Sequence, residues 1–264
     1  MTFIFAFHNM KDTNKTSGNI LIEIFGRLWA VWGLLFFIAT MFIAMVFYLP
    51  CYLMKEPRAA WWHKRVSNVW MTIYLYGIGS PIKVTGGEQF VNGENYIVVC
   101  NHNSFMDVPV TTPFMPRANK TIAKKEFANV PFFGWIYSLG SVLVDRKSAE
   151  SRKQSYLRMK AVLRIGLDMV IYPEGTRNKT EDPLTPFHDG AFRLAKETGK
   201  CIMPTLIFNS RKILPASKPF FMLPRRLYMH FLPPVSPNHL SITELKETTF
   251  TMMWNYYTEN EAKY

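Results

Sequence analysis

Acidic residues and cysteine are what this chain of 264 residues is short of. Nineteen Asp and Glu stand against 31 Lys and Arg, a formal net charge of +12 with a pI near 9.6. Such a surplus suits an anionic partner, either nucleic acid or an anionic membrane with a phosphorylated substrate. The three cysteines, Cys51, Cys100 and Cys201, are widely spaced and form no Cys-x-x-Cys pair. That excludes a disulfide framework and a zinc ribbon, and it suits buried, reduced thiols in a cytosol-facing protein. Zinc-finger spacing and a ribonucleoprotein signature are also missing, so no nucleic-acid partner is expected and membrane is preferred. There are no internal repeats or low-complexity blocks. Charge itself is absent from Leu28 to Met54.

What is present is apolar: 48% hydrophobic and 15% aromatic residues, which excludes a disordered chain and supplies a large core. The uncharged stretch exceeds the roughly 20 residues that a transmembrane helix requires. It is too long for the apolar part of a signal peptide, and no small-residue cleavage site follows. After Pro57 come Arg58, Trp61, Trp62, His63, Lys64 and Arg65, then a second apolar run from Val69 to Ile78. Tryptophan beside basic residues suits the membrane–water interface. Two arrangements compete: one spanning helix near residues 28–50, or a two-helix hairpin, about 20–53 and 58–78, dipped into one leaflet. Flanking charges favour a cytoplasmic C-terminal side. The chain thus divides into a loose tail (1–19), a membrane anchor (20–79) and a larger domain (80–264).

In that domain the texture alternates. Candidate strands are Ile82–Thr85, Tyr96–Cys100, Thr121–Ala123, Ser141–Val144, Asp168–Tyr172, Cys201–Phe208 and Leu227–Phe231. Helical stretches lie near 107–114, 131–139, 149–166, 189–198 and 241–258. The alternation predicts an α/β fold, a mostly parallel sheet flanked by helices, with ligands at the carboxyl ends of the strands.

Polar clusters sit where those strands end. Ile97-Val98-Val99 runs into Asn101-His102-Asn103-Ser104-Phe105-Met106-Asp107. An imidazole at a strand end can act as a general base, with an aspartate five residues on holding its other nitrogen. The same residues also read as helix caps, Ser104 with Asp107 as a capping box or Asp107 as an N-cap. Gly140 to Arg146 is an apolar run that delivers an arginine, and Tyr172-Pro173-Glu174-Gly175-Thr176-Arg177 delivers another. Two guanidinium groups at strand ends suit a phosphate monoester, since they donate in planar pairs. Either arginine alone reads equally well as half of a surface ion pair.

Taken in order, Asn101–Asp107, Gly140–Arg146, Glu174–Arg177 and Ile202-Met203-Pro204 resemble the four blocks of the glycerolipid acyltransferase family, most closely its lysophosphatidic acid acyltransferase branch. Ala123–Phe127 with Pro131–Trp135, and Pro186–Phe192, resemble the family's intervening segments. The resemblance implies His102 as general base, oriented by Asp107, acting on a glycerol hydroxyl that attacks an acyl thioester. It implies phosphate contacts from Arg146 and Arg177, a pocket shaped by Glu174, Gly175 and Thr176, and help from Lys124. Lysophosphatidic acid, acyl-CoA or acyl-carrier protein, and membrane lipids are the implied partners. No bound cofactor or metal is implied, and the active side would face the cytoplasm. Ser104 lacks the Gly-x-Ser-x-Gly elbow of a serine hydrolase.

The chain departs from the family pattern at Leu143-Val144, at His188 where a lysine is frequent, and at Met203-Pro204-Thr205. These bear on acyl-chain and head-group preference. Other readings are an acyltransferase for a different lyso-lipid (a lysophospholipid or lyso-ornithine lipid), a metal-dependent hydrolase built on His102, Asp107 and His188, and a non-catalytic module that binds anionic lipid.

Overall fold

The computed structural model describes the chain from residue 15, and its side chains from residue 20. Residues 1–14 of the expected tail lie outside the described residues. Residues 15–19 are helical rather than loose, because helix α1 runs from Lys15 to Tyr48. It turns at residues 49–57 into α2, Arg58–Gly77.

Seven strands follow: β1 (Ile82–Thr85), β2 (Ile97–Cys100), β3 (Asn119–Lys124), β4 (Ser141–Val144), β5 (Asp168–Ile171), β6 (Ile202–Phe208) and β7 (Leu227–Phe231). They form one sheet in the order β1-β7-β6-β2-β5-β3-β4. Strands β2 to β6 all run the same way, as expected of strands linked by helical crossovers. Strand β7 pairs antiparallel with β6, and β1 runs parallel to β7. Strands β2, β5 and β6 are buried at every residue, which is why they read as mostly apolar runs without alternation.

Because side chains alternate across a strand, the sheet feeds two cores. On one face Val98, Cys100, Val170, Met203 and Ile207 meet Ala30, Met41, Ala44 and Tyr48 of α1 and Trp70, Met71, Tyr74 and Leu75 of α2. Helix α3 (Asp107–Phe114) adds Val110, and α4 (Phe133–Leu139) adds Ile136. On the other face Ile97, Val99, Met169, Ile171, Leu206 and Phe208 meet α5 (Ala149–Arg164), α6 (Gly190–Thr198) and α8 (Ile242–Asn260). Burying each such side chain contributes about 1.5–3 kcal/mol. A one-turn helix α7, Ser210–Ile213, follows β6. It was not expected from the sequence, being too short to show helical periodicity.

The α1–α2 pair is bound into this fold. Four indoles staple it: Trp29 donates to the Ile78 carbonyl at 3.1 Å, Trp32 to Gly77 at 3.1 Å, Trp62 to Phe47 at 2.8 Å and Trp70 to Thr40 Oγ1 at 3.0 Å. Gly77 lets the helices approach, since a Cβ there would lie 2.1 Å from the Phe36 ring. The outer face of α1 is uncovered: Leu28 is 66% exposed, Leu35 59%, Ile43 64% and Val46 62%. By length and composition, Ile20–Tyr52 is apolar enough to cross a membrane.

Candidate active site

The parallel strands end on one rim, and that rim collects the polar blocks. Strand β2 stops at Cys100 and hands His102 to the rim. Its main chain is held from both sides: the N–H donates to Glu174 Oε1 at 2.6 Å, and its carbonyl accepts from the Asn178 N–H at 2.6 Å. The imidazole Nδ1 lies 3.0 Å from Asp107 Oδ2. The side chain of His102 is 16% exposed, and that of Asp107 is fully buried.

Half of the expected capping box around Asp107 forms: the carboxylate accepts from Ser104 N–H, but Ser104 Oγ accepts from Met106 N–H and not from Asp107 N–H. Helix α3 starts at Asp107 with Met106 as its cap and no side-chain cap bond. The carboxylate turns back instead, so that Oδ2 also accepts from the N–H of Asn103 at 2.6 Å and of Ser104 at 2.7 Å. Ser104 Oγ donates to the Leu214 carbonyl at 2.7 Å and accepts from Met106 N–H at 3.1 Å, so it is turned away from the imidazole. With an acid facing Nδ1, that nitrogen carries the proton and Nε2 keeps its lone pair, an assignment made from the hydrogen bonds.

Under the imidazole lies the Tyr172 ring, stacked with centroids 4.4 Å apart. Its hydroxyl meets Thr111 Oγ1 at 2.6 Å, on the next turn of the helix that carries Asp107. Burial drives that phenol well above its usual pKa, so it stays neutral and acts as a fixed floor. Tyr137 of α4 is a further neighbour of Arg146, with its pKa pushed up to about 12 chiefly by burial.

The residues expected to bind phosphate divide. Arg146, exposed at the end of β4, donates to the Gly175 carbonyl, which draws the ends of β4 and β5 together. Arg177 lies with its guanidinium carbon 3.5 Å from the centre of the exposed Phe105 ring. Neither arginine has a carboxylate partner among the described residues, so the ion-pair reading fits neither. Gly175 takes φ +69°, and a Cβ there would lie 2.8 Å from the His188 ring. Thr176 is exposed beside it. Lys124 ends β3, also exposed on this rim.

Glu174 departs from its expected place. It is buried and turned inward: Oε1 accepts from His102 N–H, and Oε2 accepts from Thr185 N–H at 2.9 Å and Thr185 Oγ1 at 2.6 Å. Burial is the largest influence and raises its pKa, with these bonds opposing. The carboxyl braces the main chain of His102 and does not face the rim. Sequence reasoning missed Tyr172, Thr111, Asn178 and Thr185. Only Tyr172 carried a signal, as the aromatic that opens the Pro173-Glu174 turn. Among the described residues no three His, Cys, Asp or Glu side chains converge into a ligand set.

The fold and this rim define a class. The chain belongs to the Acyltransferase family, whose profile matches residues 81–233 and so spans all four motif blocks. Among its relatives is the 1-acyl-sn-glycerol-3-phosphate acyltransferase of Cocos nucifera, 33% identical over 152 residues, 54% of this chain and 48% of that protein. The enzyme of the same name from Helicobacter pylori is 31% identical over 161 residues, 61% of this chain and 68% of that one. The match spans about half the length of the coconut protein and of a chloroplastic relative from Arabidopsis thaliana. The crystal structure of the 1-acyl-sn-glycerophosphate acyltransferase from Thermotoga maritima shares the fold, with a TM-score of 0.78 at 22% identity, over 91% of this chain and 98% of that one.

Proposed function

We propose that the protein transfers a fatty acyl group from a thioester, acyl-CoA or acyl-carrier protein, to the free hydroxyl of lysophosphatidic acid, giving phosphatidic acid. The observation that carries this is the His102–Asp107 pair, 3.0 Å apart, on the rim that also bears Arg146 and Arg177. His102 Nε2 takes the hydroxyl proton as that oxygen attacks the thioester carbonyl. The tetrahedral adduct collapses, the C–S bond breaks, and the leaving thiolate recovers the proton from Nε2. Asp107 stabilises the imidazolium between the two transfers. With Ser104 bonded to a carbonyl, the acceptor hydroxyl is the nucleophile and no acyl-enzyme forms. These steps use side chains alone, and the donor enters as a substrate.

Arg146 and Arg177 hold the acceptor phosphate, with Gly175 and Thr176 making the turn between them. Lys124 adds a cation for the phosphate or for the oxyanion. Glu174 acts on position, through the main chain of His102. Membrane lipid is the surrounding medium, and the thioester pool puts the rim on the cytoplasmic face. Support for a hairpin lying in one leaflet, rather than a spanning α1, comes from packing. Helix α1 is bound along its length to α2 and to Met222, whose N–H donates to the Gly26 carbonyl. A spanning α1 would drag Lys64, Arg65 and the sheet to hydrocarbon depth, which costs several kcal/mol per charge.

The test is acyl transfer by purified protein in detergent, with radiolabelled donors and lyso-lipid acceptors with and without phosphate. Preferred acylation of lysophosphatidate, abolished in His102→Ala while membrane attachment persists, supports the reading. Equal use of acceptors that lack phosphate, or unchanged turnover in the variant, overturns it.

A further inference from the structure

Beside the rim, between β3 and α4, the chain makes a turn that no step above uses. Residues 125–132 form a single helical turn, Lys125–Asn129, and then the link into α4. The turn is well tied: Val130 N–H donates to the Phe127 carbonyl at 3.3 Å and Gly134 N–H to the Val130 carbonyl at 2.8 Å. A tight exposed turn is ordinarily built from Gly, Asn, Asp or Ser. This one instead shows Phe127, 39% exposed, Val130, 43%, and Phe132, 56%.

Phe132 also takes φ +62°, in a region that side chains other than glycine rarely adopt, at a cost of about 1–3 kcal/mol. Burial does not repay that cost, because the ring is more than half uncovered. Among the described residues its one aromatic neighbour is Phe42 of α1, centroids 5.1 Å apart and edge to face, and Phe42 is itself 46% exposed. Phe42 sits in the middle of the uncharged run of α1, so the turn continues the open apolar face of the hairpin toward the active-site rim. Lys124 and Lys125, both exposed, precede it, with one exposed acid, Glu126.

We propose that this turn is a second lipid contact. Phe127, Val130 and Phe132 enter the acyl region of the leaflet beside α1, and Lys125 remains at the level of anionic head groups. The contact seats the mouth of the site against the lipid surface, so that a lyso-lipid can reach His102 without leaving the leaflet. This rests on the hairpin lying in a leaflet, and the test separates the two.

In a Cys201→Ser background, where the remaining Cys51 and Cys100 are buried, an environment-sensitive fluorophore is attached in turn at Phe132→Cys, Leu35→Cys on α1 and Ala161→Cys on α5. Each protein is mixed with phosphatidylcholine–phosphatidylglycerol vesicles that carry an acyl-chain quencher. Quenching at 132 and 35 but not at 161 supports the contact. Quenching at 35 alone overturns it and leaves the hairpin standing, whereas quenching at neither removes both. A second measurement uses the triple variant Phe127→Ser, Val130→Ser, Phe132→Ser. Its vesicle partitioning falls about tenfold or more, while its turnover of a monomeric short-chain lysophosphatidate is unchanged. Unaltered partitioning also overturns the proposal.

Discussion

Replacing Asp107 by Asn tests the base most sharply, because it removes a charge while keeping the shape. Oδ2 accepts from three donors, His102 Nδ1 at 3.0 Å and the N–H groups of Asn103 and Ser104 at 2.6 and 2.7 Å. An Asn oxygen at that place retains the two main-chain bonds, so the loop stays in register. The new amide nitrogen takes the site of Oδ1, which is buried and without a partner. That costs about 1–3 kcal/mol of stability, visible as a modest fall in Tm. On the proposed mechanism the catalytic cost is larger, since the imidazolium formed in the transition state loses its counter-charge. By analogy with Asp→Asn in a Ser-His-Asp triad, kcat falls about 10³- to 10⁴-fold, or about 4–5 kcal/mol in the barrier. Initial rates against lysophosphatidate concentration, with circular dichroism to confirm folding, provide the assay. KM for the acceptor stays near the wild-type value. A folded Asp107→Asn protein with kcat within a few-fold of wild type refutes the role given to this carboxylate.

Arg177→Ala raises KM for phosphate-bearing acceptors about 10- to 100-fold, the value of a charge-assisted bond, and leaves KM for the acyl donor unchanged; equal losses for both in steady-state kinetics contradict the assignment. Glu174→Ala leaves three donors unmatched, His102 N–H and the N–H and hydroxyl of Thr185, and lowers unfolding free energy by about 2–4 kcal/mol in urea titration. Asp168 supplies a pH test remote from the rim. Its buried carboxyl accepts from Tyr96 N–H at 2.8 Å, and burial raises its pKa from 3.8 to about 7. The folded state therefore holds this proton more tightly than the unfolded chain does. The group's contribution is most favourable below pH 3.8 and is lost as pH rises through about 7. Asp168→Asn accordingly gains more in Tm over wild type at pH 8 than at pH 5, and an equal or reversed difference refutes the stated sign.

Strand positions were legible where a short run rich in β-branched or aromatic residues is bounded by glycine, proline or charged residues. Ile82–Thr85, Ser141–Val144 and Leu227–Phe231 stand where the sequence placed them. The direction of β7 was not legible, because pairing with β6 is decided by a long connection and not by residues in either strand. Helix α7 escaped because it follows Asn209 in a left-handed conformation, φ +68°, and lasts one turn. Trp62, beside Lys64 and Arg65, read as an interfacial anchor, yet its indole N–H is spent on the Phe47 carbonyl in the seam between α1 and α2. In the site, His102 and Asp107 are five residues apart; that spacing alone also reads as a helix cap, and the four ordered blocks of the family resemblance singled the pair out. The bond from His102 N–H to Glu174 spans 72 positions, and only the pairing of β2 with β5 brings the two together. Long-range main-chain bonds of this kind leave no periodic trace.

The segment from Glu174 to Asn178 grips His102 at both its N–H and its carbonyl, and the same few residues carry Arg177. On the proposed function, choice of head group and speed of turnover are therefore not separate settings in this molecule. Re-aiming the guanidinium toward a differently sized acceptor shifts the peptide that holds the imidazole. Substitutions at 177 and 102 should then combine non-additively in a double-mutant cycle. Any redesign toward a new lipid acceptor has to treat residues 174–178 and the imidazole as one unit, exchanged together.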